Sequence, residues 1–201
     1  MTHTVGIFVF HDVEVLDFAG PYEVFTTASR MHARINPQAP PLFDAFTIGQ
    51  DKATLYARAG LTVLPEHDFS THPSIDVLIV PGGVVTAELE KPVVIEWIRK
   101  CAASSNVTAS VCTGAFLLAK ARLLDGKSVT THWEDIDDLK AMFPSLRVQE
   151  NCRWVDQGGI VTSAGISAGI DMCLHLVERL AGRELAERTA RQLDFAWTKN
   201  S

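Results

Sequence analysis

The sequence predicts an α/β protein: a three-layer α/β/α sandwich around a mostly parallel central sheet. Three observations carry that expectation. Short runs of β-branched and apolar residues alternate with segments of helical period along most of the chain, the order a parallel sheet needs. Two runs, Thr4 to Phe10 (T-V-G-I-F-V-F) and Asp76 to Val80 (D-V-L-I-V), are almost wholly apolar, as strands covered on both faces are. In Val107 to Lys120, V-T-A-S-V-C-T-G-A-F-L-L-A-K, a strand pattern becomes a helix pattern with no loop between them.

Taken in order, Thr4 to Phe10 is the first strand, and a turn-like segment, His11 to Gly20, follows it. Tyr22 to Met31 reads as a helix, with Pro21 near its first position, where a missing N–H costs nothing. The Pro-rich Asn36 to Pro41 is a loop, Phe43 to Ile48 a strand, and Leu61 to Leu64 a strand or hairpin arm. Pro81-Gly82-Gly83 ends the Asp76 to Val80 strand. Pro92 to Ala103 is an amphipathic helix whose Val94, Ile98 and Cys101 share the buried face. After the central strand and helix, Leu124 to Lys127 is a turn, Ser128 to Thr131 a short strand, and Trp133 to Met142 a helix. Arg147 to Gln149, Arg153 to Asp156 and Ile160 to Thr162 are short strands, the last two joined as a hairpin by Gln157-Gly158-Gly159. Ile166 to Leu180 is expected to be the longest helix, with Cys173 in its core face, and Glu184 to Leu193 closes the chain as a more polar helix. With no linker, repeat or low-complexity tract, residues 1–201 are expected to form one domain.

Composition narrows the function. The chain has 201 residues, 47% hydrophobic and 21% charged, which suits a folded protein with a sizeable core and argues against disorder. A net charge of −6 disfavours a nucleic-acid surface. No run is apolar enough to span a bilayer, and the start has neither the basic region nor the cleavage site of a signal peptide. The four cysteines, Cys101, Cys112, Cys152 and Cys173, form no C-x-x-C pair and no zinc spacing with His. A cytoplasmic protein with reduced thiols, no metal and no organic cofactor is the expectation.

Cys112 stands where the central strand becomes a helix. That bend requires close approach of the two elements, and Gly114 permits it. The first turn of a helix presents free N–H groups and partial positive charge, which predicts a thiol shifted toward thiolate and a place for a developing anion. Sites in open α/β sheets lie at the carboxyl ends of strands. Three segments qualify: Asp17 after the first strand, Gly82-Gly83 after Asp76 to Val80, and Cys112. A carboxylate near a thiolate repels it, so Asp17 and Cys112 are expected to hold one proton between them.

Five motifs in this order resemble the ThiJ/PfpI superfamily, a branch of the class I glutamine amidotransferase-like fold, which is flavodoxin-like. They are L-D-F-A-G-P (Leu16 to Pro21), D-V-L-I-V-P-G-G (Asp76 to Gly83), S-V-C-T-G-A-F-L-L-A (Ser110 to Ala119), T-T-H-W (Thr130 to Trp133) and T-S-A-G-I-S-A-G-I-D (Thr162 to Asp171). Within the superfamily the motifs are most like those of the isocyanide hydratases, hydro-lyases that add water to R–N≡C to give an N-formamide. The resemblance implies Cys112 as nucleophile on a nucleophile elbow and Asp17 as the carboxylate that handles protons. It implies the amides of Gly83 and Thr113 as an oxyanion-type pocket, with the Thr113 hydroxyl in reach of substrate or sulfur. It also implies a small-molecule substrate and a homodimer.

Further candidates are His132, read first as a partly buried helix cap, and Ile166, read first as core. Trp133 is expected to pack, and Glu134, Asp135, Asp137 and Asp138 to form a solvated helix face. Some departures from the superfamily exclude particular activities. Thr113 follows the nucleophile where peptidase-like and deglycase-like members carry His. Ser163 to Asp171 lacks the His-x-Glu pair of glutaminases. Domains of AraC-type regulators share much the same motifs, but those proteins continue into a DNA-binding region, and this chain stops at Ser201. The alternatives to a hydratase are therefore a non-catalytic ligand- or redox-sensing domain, or a glyoxalase-like activity on small aldehydes.

Overall fold

A computed structural model describes residues 2–198. Met1, at the start of the stretch read as a first strand, and Ser201, the expected end of the domain, lie outside the described residues. The elements are β1 (His3–Phe8), α1 (Val15–Ile35), β2 (Phe43–Gly49), β3 (Leu55–Tyr56), β4 (Thr62–Val63), β5 (His67–Asp68), β6 (Val77–Val80), α2 (Thr86–Leu89), α3 (Pro92–Ser104), β7 (Val107–Val111) and α4 (Gly114–Lys120). They continue with β8 (Ser128–Val129), α5 (Ile136–Met142), β9 (Arg147–Val148), β10 (Trp154–Asp156), β11 (Ile160–Ser163), α6 (Ala168–Ala181) and α7 (Arg183–Gln192).

Seven strands form one sheet in the order β10-β11-β7-β6-β1-β2-β5, parallel throughout except for the β10–β11 hairpin. The apolar runs expected at β1, β6 and β7 occupy its centre, where every residue of β6 and β7 is buried. Helices α1, α6 and α7 pack on one another, as do α2, α3 and α4, so two helical layers flank the sheet. Phe8, Phe25, Leu117, Leu118 and Met172 are fully buried between the layers. Truncating any one of them to Ala would remove about 2–5 kcal/mol.

Three expectations need correction. Helix α1 begins at Val15, not Tyr22, so Asp17 lies in its first turn and Pro21 inside it. Pro21 has no N–H to give the Asp17 carbonyl, a loss the packing of α1 tolerates. Gly20 belongs to the same packing, since a Cβ there would stand 3.1 Å from Ile170 Cγ1 on α6. The longest helix is accordingly α1, with 21 residues, and α6 begins at Ala168 with 14. Trp133 to Met142 is not one helix: Trp133–Asp135 is a 3₁₀ turn ahead of α5, and Trp133 is 75% exposed where packing was expected. The Leu61 to Leu64 segment does supply a hairpin arm, β4 paired antiparallel with β3.

Candidate active site

The carboxyl ends of β1, β6 and β7 bring together the three segments singled out in the sequence. At the end of β7, Cys112 takes φ +54°, a left-handed conformation that costs a non-glycine residue about 1–2 kcal/mol. Its backbone is held from both sides. The Cys112 N–H donates to the Ser163 carbonyl (3.2 Å) and the Ala164 carbonyl (3.4 Å), while the Thr131 hydroxyl donates to the Cys112 carbonyl (2.8 Å). Gly114 is required two residues on, because any Cβ there would overlap the Val80 carbonyl.

Asp17 is fully buried, although it lies on the first turn of a helix. Its Oδ2 accepts from the Gly82 N–H (3.1 Å), and its Oδ1 has no hydrogen-bond partner. A Cβ on Gly82 would lie 2.9 Å from Asp17 Oδ2 and 2.6 Å from the Thr113 amide nitrogen, so only glycine fits between them. Burial pushes the Asp17 carboxyl up to about 7, and the Glu14 charge adds to the rise. The Gly82 N–H, the Cys112 thiol and the Arg58 charge oppose it.

The thiol does not behave as the sequence predicts. Burial first, then the Asp17 charge, push Cys112 up to about 12, against the opposing Thr113 N–H. That rise corresponds to about 4 kcal/mol at 1.36 kcal/mol per tenfold. A helix N-terminus supplies only about 0.3–1 kcal/mol, and α4 is seven residues long. Desolvation therefore wins. Burial raises both groups, the Cys112 thiol above the Asp17 carboxyl, so of the two the carboxyl gives up its proton first.

Thr113 follows the thiol in the chain, and its amide opposes the rise in the thiol's pKa. Its hydroxyl donates to the Gly83 carbonyl (2.8 Å) and accepts from the Gly83 N–H (2.9 Å). In this structure the Gly83 amide is thus occupied by Thr113 rather than open to a substrate. Gly83 itself, at φ +136°, lies so close to the backbone of Asp12 to Glu14 that a side chain has no room.

His132 caps the 3₁₀ turn through Nδ1, which accepts from the Glu134 N–H (3.4 Å) and lies 3.3 Å from Asp135 Oδ2. The capping role is therefore the one observed. Its ring packs where a side chain on Gly165 would have to go. Ile166 is half-buried in the loop before α6, not in the core as expected. Asp135 is likewise not fully solvated: burial raises its pKa, and its charge reaches Cys112. The sequence reading placed Gly82 at the site without its role as donor to Asp17, and missed Thr131, the donor to the Cys112 carbonyl. Both stood inside motifs already noticed.

A cavity of 410 Å³ adjoins Thr113 and Gly83, walled by Val85, Leu89, Phe116 and Met142 with Asp135 at its side. A second, of 440 Å³, opens at the carboxyl ends of β1 and β2, between Phe10, Gln50 and Glu88. The first reaches Gly83 and Thr113 but is lined by neither Cys112 nor Asp17. Among the described residues no group of three or more His, Cys, Asp or Glu side chains is placed to hold a metal ion. No helix among them is long and apolar enough to cross a membrane.

Fold and site together define an α/β sandwich protein with a cysteine on a strand-to-helix elbow facing a buried carboxyl. The chain belongs to the DJ-1/PfpI family, whose model matches residues 3–179. It is 32% identical to an isonitrile hydratase of Pseudomonas putida over 98% of this chain and 80% of that one. It is 30% identical to the HTH-type transcriptional regulator CdhR of Pseudomonas aeruginosa, over 89% of this chain and 51% of the regulator. A ThiJ/PfpI family protein from Pseudomonas syringae has the same fold, with TM-score 0.85 and 24% identity, covering 99% of this chain and 77% of that one.

Proposed function

We propose that the protein is a cysteine-dependent isocyanide hydratase. The observation that carries this reading is the pairing of Cys112 with a buried Asp17 that titrates near neutrality and keeps one oxygen unpartnered. Such a carboxyl can take a proton and return it at pH 7. The Cys112 sulfur attacks the terminal carbon of R–N≡C. The thiol proton passes to Asp17 and from Asp17 to that carbon, leaving R–N=CH–S–Cys112. Water adds across the C=N bond to give R–NH–CH(OH)–S–Cys112. Asp17 takes the hydroxyl proton as the C–S bond breaks and passes it to sulfur. R–NH–CHO leaves, and Cys112 is again a thiol. Covalent attachment supplies the activation, so the reaction calls on no metal or organic cofactor.

Thr113 would steady the sulfur through its amide, and the 410 Å³ cavity beside Thr113 would take the R group against apolar walls. Gly83 is assigned to the anion-facing wall, and its amide is freed only if the Thr113 hydroxyl turns away. His132 and Ile166 are assigned to the rim, without a chemical step. The identity to an isonitrile hydratase supports the reading. The same reading takes residues 1–201 as one domain of a cytoplasmic homodimer that binds no nucleic acid.

The test is formamide formation from a panel of alkyl and aryl isocyanides, with methylglyoxal as a parallel substrate. Turnover in large excess over protein, lost in Cys112→Ser, supports the hydratase. No formamide from any member of the panel sinks it. Turnover of methylglyoxal alone would move the glyoxalase-like alternative ahead.

A further inference from the structure

Outside the site, one fully buried acid gathers three separate segments of the chain. Asp171, in the first turn of α6, has no exposed surface. Its Oδ2 takes a 2.5 Å bond from the Arg153 guanidinium, and its Oδ1 accepts from the Thr198 N–H at 2.7 Å. The same guanidinium donates to the Ser167 hydroxyl at 3.3 Å. Asp171 thereby ties the entry to β10, the loop before α6 and the segment that follows α7.

These bonds lead to the elbow. The Arg153 carbonyl accepts from the Ala164 N–H (2.8 Å), and the Ser163 and Ala164 carbonyls are the acceptors for the Cys112 N–H. Gly169, the second residue of α6, packs so closely that a Cβ there would stand 2.7 Å from Val111, the residue before Cys112. The strained left-handed conformation of Cys112 persists only where its surroundings over-determine it. The Asp171 junction supplies the far side of that constraint.

We infer that Asp171 and Arg153, locked by the backbone of Thr198, act as positioning residues for Cys112. They hold Ala164 so that the Cys112 amide is anchored and the sulfur stays against Asp17. The segment after α7 is then part of the catalytic apparatus, although it touches no substrate. This inference rests on the hydratase reading only where turnover is the readout. Cys112 alkylation needs no isocyanide and tests the junction independently.

Three variants of the full chain decide the matter: Asp171→Asn, Thr198→Pro, which removes the tail's N–H donor, and Asp156→Asn as control. Asp156 also joins β10 to α6, through His175 (2.7 Å) and Arg179 (2.9 Å), but no bond runs from it to Ala164. The readouts are iodoacetamide labelling of the Cys112 peptide across pH 5–9 and, where turnover exists, kcat and KM. In the wild type the labelling rate should follow Asp17, rising through an inflection near 7. Asp171→Asn and Thr198→Pro should flatten that inflection and lower kcat about tenfold with little change in KM. Asp156→Asn should keep both. An unchanged profile in folded Asp171→Asn and Thr198→Pro protein overturns the inference, as does an equal change in Asp156→Asn. If Asp171→Asn does not fold, Thr198→Pro alone decides. If no isocyanide turns over but the labelling profiles separate as expected, the junction stands and the hydratase reading falls.

Discussion

Asp17 and Asp171 are both fully buried, both in the first turn of a helix, and both raised by burial. They differ in what meets them. Asp171 has a guanidinium on one oxygen and a backbone N–H on the other, so its charge is matched. Asp17 has a single N–H on one oxygen and nothing bonded to the other, with a thiol beside it and the charge of Glu14 nearby. A buried acid that is fully partnered holds a structure together. One left half-partnered titrates where chemistry can use it.

The largest effect expected from breaking this contrast is on turnover. Cys112→Ser and Asp17→Asn should each lower kcat by about 10³-fold or more, since removing one member of a concerted unit costs nearly as much as removing both. The double variant should be little worse than either single one. Simple multiplication of the two losses would mean that the residues act in separate steps.

The next effect is on stability, and its sign follows from linkage. Asp17 binds its proton more tightly when folded, at about 7, than the ordinary carboxyl near 3.8. Its stabilising contribution is therefore complete below about pH 4 and is lost as pH rises through 7. Asp17→Asn is neutral at every pH and escapes that loss. At pH 8.5 it should be more stable than the wild type by up to about 4 kcal/mol, from the 1.36 kcal/mol per tenfold rule. The difference should shrink toward zero near pH 4. Urea midpoints at the two pH values measure it, and a difference independent of pH would show that Asp17 is not perturbed by folding.

A smaller effect separates the cysteines. Cys101 and Cys173 are buried, with thiols pushed upward by burial, that of Cys101 to about 11. Cys152 is partly exposed. Peptide mapping after brief iodoacetamide treatment near pH 8 should find Cys152 labelled first, and Cys112 ahead of Cys101 and Cys173, because only Cys112 has a proton acceptor, Asp17, beside a thiol that burial otherwise silences. Labelling of Cys112 should fall in Asp17→Asn, because losing the proton acceptor outweighs losing the charge that raises the thiol, while that of Cys152 should not change; a rise at Cys112 would show that the charge governs instead. Equal loss at both would indicate a global change.

Much of the fold was legible because its signals are local. The apolar runs of β1, β6 and β7, the hairpin glycines and the buried face of α3 each follow from a few neighbouring residues. The start of α1 was not, because Pro21 is a strong local signal for a helix start, and only packing against α6 at Gly20 and Ile170 overrides it. The site divides in the same way. Cys112, Asp17 and Gly114 could be named from motifs, but the thiol's state could not. A helix N-terminus is visible in a sequence, and the burial that outweighs it is not. Thr131 escaped, and Gly82 was named without its role, because a donated hydroxyl and a donated N–H are made across segments far apart in the chain.

The smallest effect tests Thr131, the residue whose role exists only in three dimensions. Among the described residues its hydroxyl is the single side-chain group bonded to the Cys112 carbonyl, and it is 1% exposed. Thr131→Val keeps the shape and removes the donor. Losing one buried hydrogen bond should cost about 1–3 kcal/mol, because the Cys112 carbonyl stays buried and loses its side-chain donor. Part of that loss falls on the elbow itself, so kcat should drop severalfold while KM holds. The contrast with Thr130 sharpens the test. Its hydroxyl bonds the Gln149 carbonyl (2.9 Å), away from the elbow. Thr130→Val should therefore lose similar stability by urea denaturation and keep its kcat. If the two variants lose activity equally, the elbow answers to general stability, and the specific bond to the Cys112 carbonyl carries no weight in catalysis.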